Sequence, residues 1–192
     1  MFSNLKSKHY GVIYADPPWL FNAGGNRNAK NHYNVMSIKD IQNMPVGDIA
    51  ADNCVLLMWT TDPTLDQGIE TMKMWGFKYK TVGFYWVKQN KSGNGFFKGL
   101  GYWTRANPEI CLLGVKGRVK RKNKNIDRLV IAPRREHSRK PDIIYDRIEN
   151  LVDGPYVELF ARNQRLNWDS WGNQINKFSQ ENIIYEHCKI SL

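Results

Sequence analysis

Strands and helices alternate along this chain, and the alternation predicts an α/β sandwich whose sheet is parallel in the main. Two further observations support that class. The apolar runs are short and continuous, as expected of strands buried on both faces, and amphipathic stretches at helical spacing lie between them. A length of 192 residues, 42% of them hydrophobic, is enough for a single core, so one domain is expected over residues 1–192. No internal repeat or low-complexity block interrupts it.

Residues 1–9 form a short polar lead. The first strand begins near Tyr10 and ends at Asp16, because Pro17 cannot continue a sheet ladder. Residues 22–34 hold five asparagines and two glycines with Arg27, Lys30 and His32, too polar for a core and long for a connection. That segment is expected to be a lid, closed by Tyr33. Ser37, with Asp40 three residues on, predicts a capped short helix that stops before Pro45. Asn53–Trp59 is a second buried strand. Asp62 as N-cap and Pro63 in the first turn open a helix that runs through Ile69 and Met72 to Trp75, with Gly76 as its stop.

Phe77–Lys88 has period-2 character and predicts a strand pair or one long strand. Residues 89–102, rich in Gly, Lys and Asn, form a loop, and Ile110–Val115 is the fourth buried strand. Ser138 is expected to cap a helix from about Pro141 to Leu151, and Tyr156–Phe160 is the next strand. A polar, tryptophan-bearing end follows to Gln174, and residues 175–192 are a tail with a weak helical pattern.

The formal charge is +10, with a pI near 9.5. A domain this basic suits a polyanionic partner, above all nucleic acid, and no lysine-rich amphipathic helix argues for a membrane surface instead. Residues 116–140 hold eleven Lys/Arg against two acidic residues. This run, with Lys120, Arg121, Lys122, Arg134 and Arg135, is expected to contact phosphates, together with Arg105. Cys54, Cys111 and Cys188 are far apart and form no CxxC pair, which argues against a structural zinc or a disulfide framework. Cys54 and Cys111 sit in apolar runs and read as buried thiols. There is neither a signal peptide nor a long apolar span, so a cytoplasmic protein is expected.

Asp16-Pro17-Pro18-Trp19 carries the chemistry. Its position places a carboxylate at the C-terminal edge of a strand, where open α/β sheets bind ligands. Two prolines hold the next backbone extended, which would leave nearby carbonyls pointing outward unpaired, and Trp19 would offer a flat face beside the carboxylate. Such a set suits a planar amino-bearing base: two acceptors take the exocyclic N–H groups while an aromatic ring stacks on the base. The plainer reading of these four residues alone is a strand ending in a proline turn with a core tryptophan.

Further segments decide the matter. Ala15–Trp19, Leu56–Trp59, Trp86–Lys88, Glu109–Gly117, Ser138–Asp142, Glu158–Arg162 and Gly172–Gln174, in that order, resemble the MT-A70 family of S-adenosylmethionine-dependent adenine-N6 methyltransferases over residues from about 10 to 174. The resemblance implies a Rossmann-like class I methyltransferase sandwich in which the catalytic motif precedes the cofactor-binding strand. It implies that Asp16, Pro17, Pro18 and Trp19 are catalytic and that Asp16 also lies near the cofactor's methionine amino group. Lys140 would neutralise the cofactor carboxylate. Glu158, Phe160, Arg162 and Asn163 would line its methionine and ribose side, and Asn173 and Gln174 its ribose hydroxyls. Two departures stand out. The fifteen residues before Asp16 contain no acidic residue to hold the cofactor's adenine, which leaves Ser3 or Asn4, and the 162–168 loop is short.

The expected reaction is direct methyl transfer without a metal or covalent intermediate, the target adenine held against Trp19 and Tyr33 and flipped out where the substrate is a duplex. DNA is the preferred substrate, since compact members of the family look microbial or phage-like. Rivals are the same chemistry on RNA and a catalytically inactive nucleic-acid-binding subunit. A homodimer or a partner subunit is open alongside a lone chain.

Overall fold

The structure, a computed structural model, describes residues 1–2, 4–5, 9–20, 36–136 and 138–178. Ser3, Tyr33 with the rest of the 22–34 segment, Cys188 and the tail from residue 179 lie outside the described residues.

Among the described residues seven strands form one mixed sheet in the order β5-β3-β4-β2-β1-β6-β7. They are β1 (Tyr10–Ala15), β2 (Ala50–Thr60), β3 (Lys78–Gln89), β4 (Glu109–Lys116), β5 (Leu129–Pro133), β6 (Tyr156–Leu159) and β7 (Trp168–Trp171). Among the described residues three α-helices accompany them, with two short 3-10 turns (Val46–Asp48 and Asp62–Thr64): α1 (Ile38–Gln42), α2 (Leu65–Met74) and α3 (Ile143–Leu151). The expected α/β class holds, and the sheet is mostly parallel: β1 pairs in parallel with β2 and β6, β3 with β5, and β6 with β7. Only β4 is reversed, antiparallel to both β2 and β3.

Alternation along β1 sorts the core into two faces. Ile13 and Ala15 pack with Ile41 of α1 and Met72 of α2, while Val12 and Tyr14 pack with Ile144 and Ile148 of α3. A bulge sets this phase: the N–H groups of Gly11 and Val12 both donate to the Pro155 carbonyl, at 3.0 and 3.2 Å. Glycine is needed there, since a Cβ on Gly11 would sit 3.0 Å from the Gly154 oxygen.

Several local expectations change. Thr61, not Asp62, caps the first turn of the second helical segment, through a reciprocal capping box with Thr64 that opens a short 3-10 turn before α2. Ser138 caps no helix; Asp142 precedes α3 without a side-chain cap. Residues 78–89 are one continuous strand. β5 and β7 arise in stretches that read as a basic run and a polar end. Cys54 and Cys111 are buried free thiols, as expected. No helix among the described residues is long and apolar enough to cross a membrane.

Candidate active site

The catalytic edge of the sheet is where β1, β2, β3, β5, β6 and β7 end and the reversed β4 begins. At the centre of that edge the Asp16 N–H makes the last contact with β6, to the Leu159 carbonyl at 3.4 Å. Its side chain is fixed from across the sheet. Asp16 Oδ2 accepts from Lys140 Nζ at 2.6 Å and from Ser138 Oγ at 3.4 Å. Lys140 also pairs with Glu109 Oε2 at 3.2 Å, and Glu109 Oε1 pairs with Lys88 Nζ at 2.8 Å. Four charges therefore alternate in sign, Asp16–Lys140–Glu109–Lys88, and cancel.

The alternation is what allows burial, because an unpaired charge in this setting would be expelled or neutralised. Burial pushes the Glu109 carboxyl up, yet the pull of Lys140 and Lys88 overrides it and holds the group at about 2. Burial likewise works against the Lys140 ammonium, and Asp16 and Glu109 together raise it above its ordinary value. The ring of Trp59 adds a cation–π contact, 5.3 Å from Lys140 Nζ.

Two clefts open on either side of Asp16, and Asp16, Phe160 and Arg162 line both. Pro18, Met36, Trp171, Asn173 and Gln174 line the first. Ser138, Lys140, Tyr145, Glu158 and Asn163 line the second. Ser138 and Phe160 both adopt left-handed backbone, at φ 63° and 62°, a conformation that costs a non-glycine residue about 1 kcal/mol or more and persists only where the surroundings enforce it. Glu158 is 8% exposed and accepts a 2.9 Å hydrogen bond from the Tyr145 hydroxyl. Burial, and less strongly the charge of Asp16, raise its carboxyl to about 8 against the opposing pull of the Tyr145 hydrogen bond, Lys140 and Arg162.

This geometry coincides with a family match: the MT-A70 model matches residues 10–174. The chain belongs to the MT-A70 family. It is 34% identical over 197 residues to the type II methyltransferase M.MunI of Mycoplasma, covering 91% of this chain and 82% of that protein. The N(6)-adenosine-methyltransferase MT-A70-like protein of Arabidopsis thaliana is 34% identical over 87% of this chain, and the human N(6)-adenosine-methyltransferase catalytic subunit METTL3 is 31% identical over the same share. The chain spans only about a quarter of those two, 24% and 28%. MT-A70 enzymes are S-adenosylmethionine-dependent adenine-N6 methyltransferases, and this chain is a methyltransferase that belongs to that family.

The donor set of the two clefts fits the family's cofactor. Two amides, Asn173 and Gln174, can both donate to and accept from a diol, and carboxylates with nearby cations in the adjoining cleft suit an amino-acid head. In this MT-A70 chain all eight residues assigned to the cofactor, Asp16, Lys140, Glu158, Phe160, Arg162, Asn163, Asn173 and Gln174, line one or both clefts.

Other expectations are corrected. Trp19 turns inward, 4% exposed, and its indole N–H donates to the Trp59 carbonyl at 2.9 Å. A ring so enclosed anchors the motif and offers no open face for stacking. The proline carbonyls are not unpaired: Pro17 accepts from the Trp19 N–H at 2.9 Å and Pro18 from the Met36 N–H at 3.1 Å. Lys140, the residue expected to meet the cofactor carboxylate, pairs with Asp16 and Glu109 and lines the second cleft.

The basic run divides. Lys120, Arg121 and Lys122 lie between β4 and β5, at the end of the sheet opposite Asp16, because β4 runs backwards. Lys122 pairs there with Asp153 at 3.2 Å. Arg135 bonds Asp142 at 2.7 Å and the Lys140 carbonyl at 2.9 Å, so it braces the Lys140 segment. Arg134 stacks on Phe97, 3.9 Å from the ring centroid. Arg105 is exposed at the catalytic edge. Sequence reasoning gave no part in the site's chemistry to Glu109, Lys88 or Tyr145, and gave Ser138 only a helix cap; an acid directly before an apolar strand was the available signal for Glu109.

Proposed function

We propose that this chain transfers the methyl group of S-adenosylmethionine to N6 of adenine in DNA. The observation that carries the reading is a carboxylate fixed at the junction of two clefts by Lys140 and Ser138. Those contacts engage Asp16 Oδ2, so Oδ1 is directed to accept an N6 hydrogen. The Pro17 carbonyl has a second lone pair beyond the one given to Trp19 and accepts the other. Two acceptors on one amine favour a pyramidal nitrogen and localise its lone pair for attack. S-adenosylmethionine supplies the electrophilic methyl, and the departing electron pair stays on its sulfur. The N6 proton passes to water at the open cleft. Positioning and preorganised charge supply the acceleration.

DNA is favoured over RNA by the relative matched along most of its length, a bacterial type II methyltransferase, whereas the adenosine-named relatives are matched over about a quarter of theirs. The test is transfer of labelled methyl to single-stranded DNA, duplex DNA and RNA, digested to nucleosides. Label on adenine N6 of DNA is expected, reduced at least about a hundredfold in Asp16→Ala. Label in RNA alone would replace DNA with RNA. Cofactor binding with no transfer to any polymer would point to a missing partner or target site, and the lack of both binding and transfer to an inactive subunit.

A further inference from the structure

The loop between β3 and β4 leaves and returns beside Lys88 and Glu109, the outer half of the charge chain that ends on Asp16. Its base is rigid. Asn107 accepts from the Lys88 N–H at 2.8 Å and donates to the Lys88 carbonyl at 2.9 Å and to that of Phe97. Gly99 and Ala106 close a further bridge, with the Gly99 N–H donating to Ala106 at 2.7 Å. Arg134 clamps the loop from outside through Phe97.

Above this base the chain makes a tight turn, where a Cβ on Gly101 would collide with the Thr104 carbonyl. The turn holds its largest side chains out in water: Leu100 is 62%, Tyr102 66% and Trp103 100% exposed. A fully exposed indole on a pinned turn is not accounted for by packing, and clustered exposed apolar groups mark an interaction site. The partner's charge is also indicated. Residues 90–108 contain Lys91, Lys98 and Arg105 and no acidic residue.

We infer that the turn Leu100–Arg105 is a wedge for duplex DNA, with Trp103 occupying the gap in the base stack that the target adenine leaves. The inference rests on the function proposed above. An adenine inside a duplex cannot reach Asp16 without leaving the stack, and inserted apolar side chains stabilise such a gap. Lys98 and Arg105 flank the wedge and meet the phosphates on either side.

The test compares wild type, Trp103→Ala and Trp103→Phe. Acrylamide quenching, read as the difference between wild type and Trp103→Phe, reports the Trp103 indole with and without a short duplex. Methyl transfer is measured on duplex and single-stranded DNA, and cofactor affinity and sedimentation are measured for each protein. Protection of Trp103 by the duplex is expected. Trp103→Ala should lower transfer to duplex by about tenfold and to single strands by at most about twofold, with cofactor affinity unchanged and Trp103→Phe largely restored. An indole equally quenched in the complex would overturn the inference, as would equal losses on both substrates or no loss. A loss that accompanies dissociation of a dimer would also overturn it, since a second copy would then be the occupant. A wild type that neither binds nor methylates DNA would instead remove the reading on which the inference rests.

Discussion

Lys140 can be buried beside Asp16 because Glu109 and Lys88 continue the alternation behind it. Removing one member leaves an excess charge with nowhere to go. Glu109→Gln is therefore expected to destabilise the fold by about 3 kcal/mol, measured by urea unfolding, and to loosen the fixed position of Asp16. Glu158 gives the site an unusual pH response. Its folded value of about 8 lies above its ordinary 4.5, so its contribution to stability is complete below 4.5 and disappears as pH rises through 8. Glu109 has the opposite sign: its contribution is present above its ordinary 4.5 and is lost as pH falls toward 2. Unfolding free energies at about pH 5 and about pH 8.5 should fall with pH in wild type, and Glu158→Gln should remove most of that fall.

Among the elements, β4 decides the site's composition, because its reversal brings its first residue, Glu109, to the catalytic edge. The chain turns out of β4 through Gly117, at φ 67°, where a Cβ would collide with the Asp52 carbonyl. Gly117→Ala is expected to destabilise by about 2 kcal/mol, seen as a lower melting temperature, since backbone rather than a movable side chain blocks the space. The same strand marks where sequence reading stops. β1, β2 and β4 were legible as continuous apolar runs, and Asp16 because Pro17 ends its strand. Strand direction leaves no such trace, so neither the Glu109–Lys140 pair nor the displacement of Lys120, Arg121 and Lys122 could be foreseen. β5 and β7 were missed for a local reason: both are short border strands, Leu-Val-Ile-Ala-Pro set in a basic run and Trp-Asp-Ser-Trp half polar, and neither reads as a core segment. Trp19 was misjudged because a motif gives residue order but not which way a ring turns.

Over the whole molecule, exposed cations stand at both ends of the sheet. Lys98 and Arg105 stand at the catalytic edge, whereas Lys120, Arg121 and Lys124 stand at the far end. Each phosphate contact contributes about one unit to the slope of log affinity against log salt. Replacing Lys98 and Arg105 with glutamine should flatten the slope for DNA by about two, while the same change at Lys120, Arg121 and Lys124 should leave it nearly unaltered. The strand order has another consequence. β1 to β4 occupy the middle of the sheet, while β5 borders one side and β6 with β7 the other, so the later half of the chain clasps the earlier half like two hands. A protease that cuts the exposed 120–125 stretch would sever the backbone without freeing either piece, and the nicked protein would keep Asp16 and Lys140, 124 positions apart, in each other's grip.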